Sequence, residues 1–148
     1  MAINREKVLI GGFVAGIVLN VIDYLSYHVI LGARMAAEAN AFKAGLGDQM
    51  ADMSGSQLAT YLLMYFIVGF LVVWMYAAVR PRFGAGPKTA AYVAIAFWVF
   101  GLITTASYMQ MGIMSSGLWW TSGGLWLVAL LLAAVAGAAL YSEEGATA

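Results

Sequence analysis

The chain has 148 residues, 64% of them hydrophobic and 9% charged, and its seven basic and seven acidic side chains balance to zero net charge. A water-soluble domain carries about a quarter charged residues, so lipid is the natural solvent for most of this surface. No basic field or tract calls for a nucleic acid, and the absence of cysteine removes disulfides, thiolate metal sites and cysteine nucleophiles together.

The opening stretch, "MAINREKVLIGGFVAGIVLN", places Arg5 and Lys7 before an apolar run, as a signal peptide does. That run continues to about Leu31, well past the roughly 7–15 residues of a signal h-region, and no small-x-small cleavage site follows. It is expected to be a retained first membrane span over residues 8–32. Gly12, Gly16, Asn20, Asp23 and Tyr27 follow one another at steps of four, four, three and four. They form one small and polar stripe on one helix face, while Leu19 falls off it. Such a face belongs inside a bundle or against another protein. Gly12 and Gly16 admit a second backbone, and Asn20 and Asp23 can hydrogen-bond across the gap.

Asp23 is the sharpest feature of this span. A charge at the membrane centre costs roughly 2.5–3.5 kcal/mol on insertion scales; Asp23 lies beyond the middle, where the cost is lower. No basic residue in the later spans can pair with it. Neutral groups at comparable depth are Thr104, Thr105, Ser107, Tyr108 and Gln110 in the third span, with Thr121 and Ser122 in the fourth. A hydrogen-bonded clasp is expected in preference to a proton site, because transport usually needs more than one intramembrane ionisable group. His28 is the one histidine. It is a possible ligand for haem iron or chlorophyll magnesium, but a lone interfacial histidine is more often simply hydrogen-bonded. No cofactor and no metal site is therefore expected.

Residues 33–56 follow. Met35, Ala39, Phe42, Leu46, Met50 and Met53 recur every three or four positions, the period of an amphipathic helix. A short helix on the membrane surface or capping the bundle is expected, broken near Gly45–Gly47. The second span covers 57–79. After it comes "RPRFGAGPKT", which looks like a scrambled P-loop. A true P-loop sets Lys directly after its second Gly, in a strand-to-helix turn. Here Pro87 intervenes and membrane helices flank both sides, so the segment is expected to be a tight hairpin. Arg80, Arg82 and Lys88 would anchor it among anionic lipid headgroups. The third span covers 89–112 and the fourth 118–141, with a small-residue seam at Ala129, Ala133, Ala136 and Gly137.

Positive charge sets the orientation. Arg5, Lys7, Arg80, Arg82 and Lys88 share one side of a four-span protein, against Arg34 and Lys43 on the other. Both termini are expected in the cytoplasm. Trp74 and Tyr76, and Trp119 and Trp120, fit aromatic belts at the two interfaces.

The stretches "GGFVAGIVLNVIDYLSYHVILGARM", "VVWMYAAVRPRFGAGPKTA" and "LLAAVAGAALY" resemble a group of small bacterial four-helix inner-membrane proteins of unassigned function. The resemblance covers about half the chain, and "YAAVRPRFGAGPKTA" is its most specific part. It implies a bacterial inner-membrane location and this topology, and it implies no activity. The expected fold is all-α: one domain over 1–148, an integral membrane bundle of four transmembrane helices with a short amphipathic helix in the first external loop. No triad, paired carboxylate or cofactor loop assembles into a catalytic set. The expected function is that of a non-catalytic structural or accessory subunit, packing against itself as a homo-oligomer or against a larger membrane complex. The alternatives are a small proton- or ion-coupled transporter or channel using Asp23, and haem or pigment binding through His28.

Overall fold

The computed structural model describes residues 3–143; the chain ends, expected in the cytoplasm, lie outside the described residues. The elements are α1 (Arg5–Leu25), a π-helical segment (Ser26–Leu31), α2 (Gly32–Phe42), α3 (Leu46–Ala51), α4 (Gly55–Phe83), α5 (Pro87–Gln110) and α6 (Ser116–Ala139), with no strand among the described residues. Four helices are long and apolar enough to cross a membrane: the continuous run Arg5–Phe42, and α4, α5 and α6. The protein is an all-α membrane bundle. At about 1.5 Å per residue, the first run of 38 residues is much longer than a hydrocarbon core of about 30 Å. Its last turns, which carry Arg34 and Glu38, therefore project beyond the apolar stretch that ends at Gly32.

Sequence-local chemistry sets the helix ends. Asn4 caps α1 by accepting the Lys7 N–H, Ser115 caps α6 by accepting that of Leu118, and Ser54 with Gln57 forms a capping box on α4. Between α2 and α3 the chain breaks at Gly45, where φ is +80°, a conformation that favours glycine. Asn40 Oδ1 then accepts the Gly47 N–H at 2.7 Å, and Gly47 sits directly on the Ala36 backbone. The amphipathic segment is thus two short helices folded on each other. Between α4 and α5, Gly84 and Gly86 have φ of +85° and +120°, and Pro87 opens α5 where no N–H is needed. Thr89 Oγ1 donates to the Gly84 carbonyl at 2.7 Å, and the Tyr76 hydroxyl accepts the Gly86 N–H at 3.0 Å. The P-loop-like string is a capped hairpin.

α1 packs on α4 and α6, while α5 packs chiefly on α6, so α1 and α5 occupy opposite corners. Small residues bring the backbones together. A Cβ at Gly69 of α4 would stand 2.5 Å from the Gly16 nitrogen and 2.7 Å from the Gly12 oxygen of α1. On the other flank of α1, a Cβ at Gly11 would lie 2.6 Å from the Gly137 oxygen of α6. Without a hydrophobic driving force in lipid, close backbone approach and van der Waals packing must hold such helices. Ala15, Leu19, Val72, Val73, Leu130 and Ala133 fill the centre, all fully buried. Leu19 corrects an expectation: α1 is wedged between two helices, so its inward face is broader than the glycine stripe and takes Leu19 in.

Candidate intramembrane polar site

Asp23 lies in the last turn of α1 before the π-helical segment, and it is half-buried. Tyr65 of α4 presents its hydroxyl to the Asp23 carboxyl. The Tyr65 ring in turn packs against Trp126 of α6, with centroids 5.7 Å apart. One helical turn before Asp23, the Asn20 amide donates to the Gly16 carbonyl at 2.8 Å and to the Leu62 carbonyl of α4 at 3.4 Å. Asn20 and Asp23 therefore both face α4, and together they join α1 to it.

The neutral partners expected in the third and fourth spans are engaged elsewhere. Thr104, Thr105 and Ser107 donate to carbonyls of α5 itself, and Thr121 and Ser122 to carbonyls of α6. Tyr108 and Gln110 are exposed. The diagonal placement of α5 explains this, because its side chains reach α6 rather than α1. Trp119 Nε1 donates to Thr105 Oγ1 at 3.1 Å, and Trp98 Nε1 to the Gly123 carbonyl at 2.8 Å, both tying α5 to α6.

Beyond Asp23, the π-helical segment adds a residue per turn, marked by the Gly32 N–H reaching the Tyr27 carbonyl. Such segments occur mostly as local bulges, frequently at functional sites. This one turns His28 outward. His28 is exposed, 4.1 Å from the Tyr24 ring and edge-on to Tyr27 at 5.4 Å between centroids. A planar ligand on its imidazole would approach from the lipid side. Tyr27 packs against Gly32 of its own helix and takes no part in the Asp23 contact to α4.

Two charged clusters mark the bundle ends. At the α2 end, Glu38 accepts the Ser115 N–H and hydroxyl, each at 2.7 Å. Arg34 donates to Glu38 at 3.1 Å and to the Ser115 hydroxyl at 3.2 Å. A carboxylate thus sits on the amino end of α6, where the helix dipole favours it. The Ser115 backbone N–H, then its hydroxyl and Arg34, hold the Glu38 carboxyl below its ordinary range against a smaller opposing effect of desolvation. At the other end, Arg82 and Lys88 are exposed, as headgroup contacts require. Arg80 departs from that expectation. Its guanidinium lies over the Tyr141 ring at 5.4 Å, its Nε is 3.9 Å from Glu143, and its Nη1 is buried without a partner. Tyr141 and Glu143, just after α6, thus cover the Arg80 side chain.

No family model, curated protein or solved structure matches this chain.

Gly12 and Gly16 meet Phe70 and Phe66 as well as Gly69, all of α4, so the stripe seals an interface within the chain. Sequence reasoning overlooked Tyr65 because a tyrosine in an aromatic-rich span carries no positional signal. Gly69 and Gly11 were missed as well, although a small residue in an apolar run is a signal for close packing. Glu38 and Arg34 stand four apart, a helical pair, but their partner Ser115 is 77 residues distant from Glu38.

Proposed function

We propose that this protein is a non-catalytic structural or accessory subunit of a bacterial inner membrane, with both termini in the cytoplasm, associating with copies of itself or with a larger membrane complex. One observation carries the reading. Asn20, Thr104, Thr105, Ser107, Thr121 and Ser122 all bond to backbone carbonyls of the bundle. The hydroxyls are occupied by carbonyls of their own helices, Asn20 also reaches Leu62 of α4, and the set does not converge on a point where a reaction could be held. Asp23, the acidic residue of the apolar spans, meets a tyrosine of the adjacent helix, as a clasp does. The basic bias of the hairpin supports the orientation.

Association is tested by cross-linking in native membranes from single cysteines placed along the lipid-facing sides of α5 and α6, at Ile95, Ile103, Val128 and Leu132. Adducts of one fixed mass from one helix face support the subunit reading. Monomer alone from every position removes it. The specific rival is a proton or ion carrier using Asp23, favoured by the π-helical segment directly after it; flux through liposomes separates the two.

A further inference from the structure

The hairpin end of the bundle carries a groove at the start of α1, beside α4. It has a volume of about 600 Å³ and is lined by Ile3, Arg5, Val8, Leu9 and Trp74. Arg5, Val8 and Leu9 project together because they stand three and four positions apart on α1, and Trp74 faces them from α4. Val8 forms a buried floor, whereas Leu9 is 60% and Trp74 48% exposed. Arg5 makes no ion pair and Trp74 no hydrogen bond among the described residues. Among the described residues, the same end of the molecule carries Arg5, Lys7, Arg80, Arg82 and Lys88 against Glu6 and Glu143, a surplus of positive charge.

We propose that this groove is a binding site for one anionic phospholipid, with its phosphodiester on Arg5 and Trp74 and its glycerol and upper acyl carbons on Ile3, Val8 and Leu9. The guanidinium is a planar, permanently charged fork that matches phosphate oxygens two at a time. The indole supplies a second N–H donor from a ring that prefers the headgroup level of a bilayer. From the groove the acyl chains would continue down the exposed side of α1 over Phe13 and Ile17, both exposed. A free phosphate would use Arg5 but leave the apolar walls against water. A lipid satisfies both.

The test is native mass spectrometry of the full-length protein in detergent, titrated with phosphatidylglycerol, with phosphatidylcholine, and with phosphatidylglycerol plus excess inorganic phosphate. Wild type should hold one phosphatidylglycerol in preference to phosphatidylcholine, and phosphate should not displace it. Arg5→Gln should weaken retention about tenfold, the loss of one charge-assisted contact, whereas Arg82→Gln on the exposed hairpin should leave it unchanged. Trp74→Leu, which keeps the apolar wall, gives an independent weakening should Arg5→Gln lose helicity. Equal retention by wild type and both groove variants, equal binding of the two lipids, or displacement by phosphate would each overturn the assignment.

Discussion

Asp23 and Tyr65 meet across the α1–α4 seam, and the chemistry of that contact decides how substitutions behave. Asparagine keeps a hydrogen-bonding group of the same shape beside the Tyr65 hydroxyl, while leucine leaves that hydroxyl unmatched. Hydrogen bonds between membrane helices are worth about 0.6 kcal/mol on average and about 1.7 at most. Asp23→Asn should therefore melt close to wild type in detergent, and Asp23→Leu should lose about 1 kcal/mol. Equal melting of all three proteins would remove the clasp. Glu38 of α2 gives a pH signature where it meets Ser115. Its carboxyl is held below the ordinary value of 4.5, first by the Ser115 N–H, so the latch contributes its full share above that value. The contribution fades as pH falls through the lowered one. Thermal stability should drop in this acidic window for wild type, and Glu38→Gln should start lower and lose that part of the pH dependence.

Between helices, backbone proximity rather than side-chain bulk does the joining. Gly69→Ala would press a methyl into the Gly12–Gly16 backbone of α1, and overpacking of this kind costs about 1–3 kcal/mol. Gly124, in α6 with nothing within 4 Å of a new Cβ, provides the contrast. Gly124→Ala should be neutral or stabilising by up to about 1 kcal/mol, as glycine in a helix is replaced. Chemical denaturation in mixed micelles compares the two, and a Gly69→Ala protein as stable as wild type would refute close packing here. The four spans, the hairpin and the break at Gly45 were legible in the sequence because each rests on local chemistry: apolar length, proline and glycine placement, helical period. The partners of Asp23 were not. Which helix lies beside α1 depends on a diagonal arrangement that no local pattern encodes, and Leu19 looked peripheral until α1 proved to have two neighbours. Arg80 reads as one more basic residue of a hairpin, and only its contacts with Tyr141 and Glu143 turn it inward.

At the scale of the whole molecule, charge bias and bundle closure lead to separate expectations. The bias predicts the hairpin in the cytoplasm and α2–α3 outside. In the cysteine-free chain, a cysteine at Ala44 should react with an impermeant maleimide from outside, and one at Ala85 only after the membrane is opened. The reverse pattern would invert the orientation. Ala44 is the better position because Gly45 needs its left-handed backbone. Closure bears on function most directly through Asp23. Purified protein in liposomes under an imposed pH gradient should pass protons no faster than protein-free vesicles, and a folded Asp23→Asn protein should be indistinguishable from wild type. Wild-type flux clearly above background that disappears in Asp23→Asn would contradict the accessory-subunit account and establish Asp23 as a transport site.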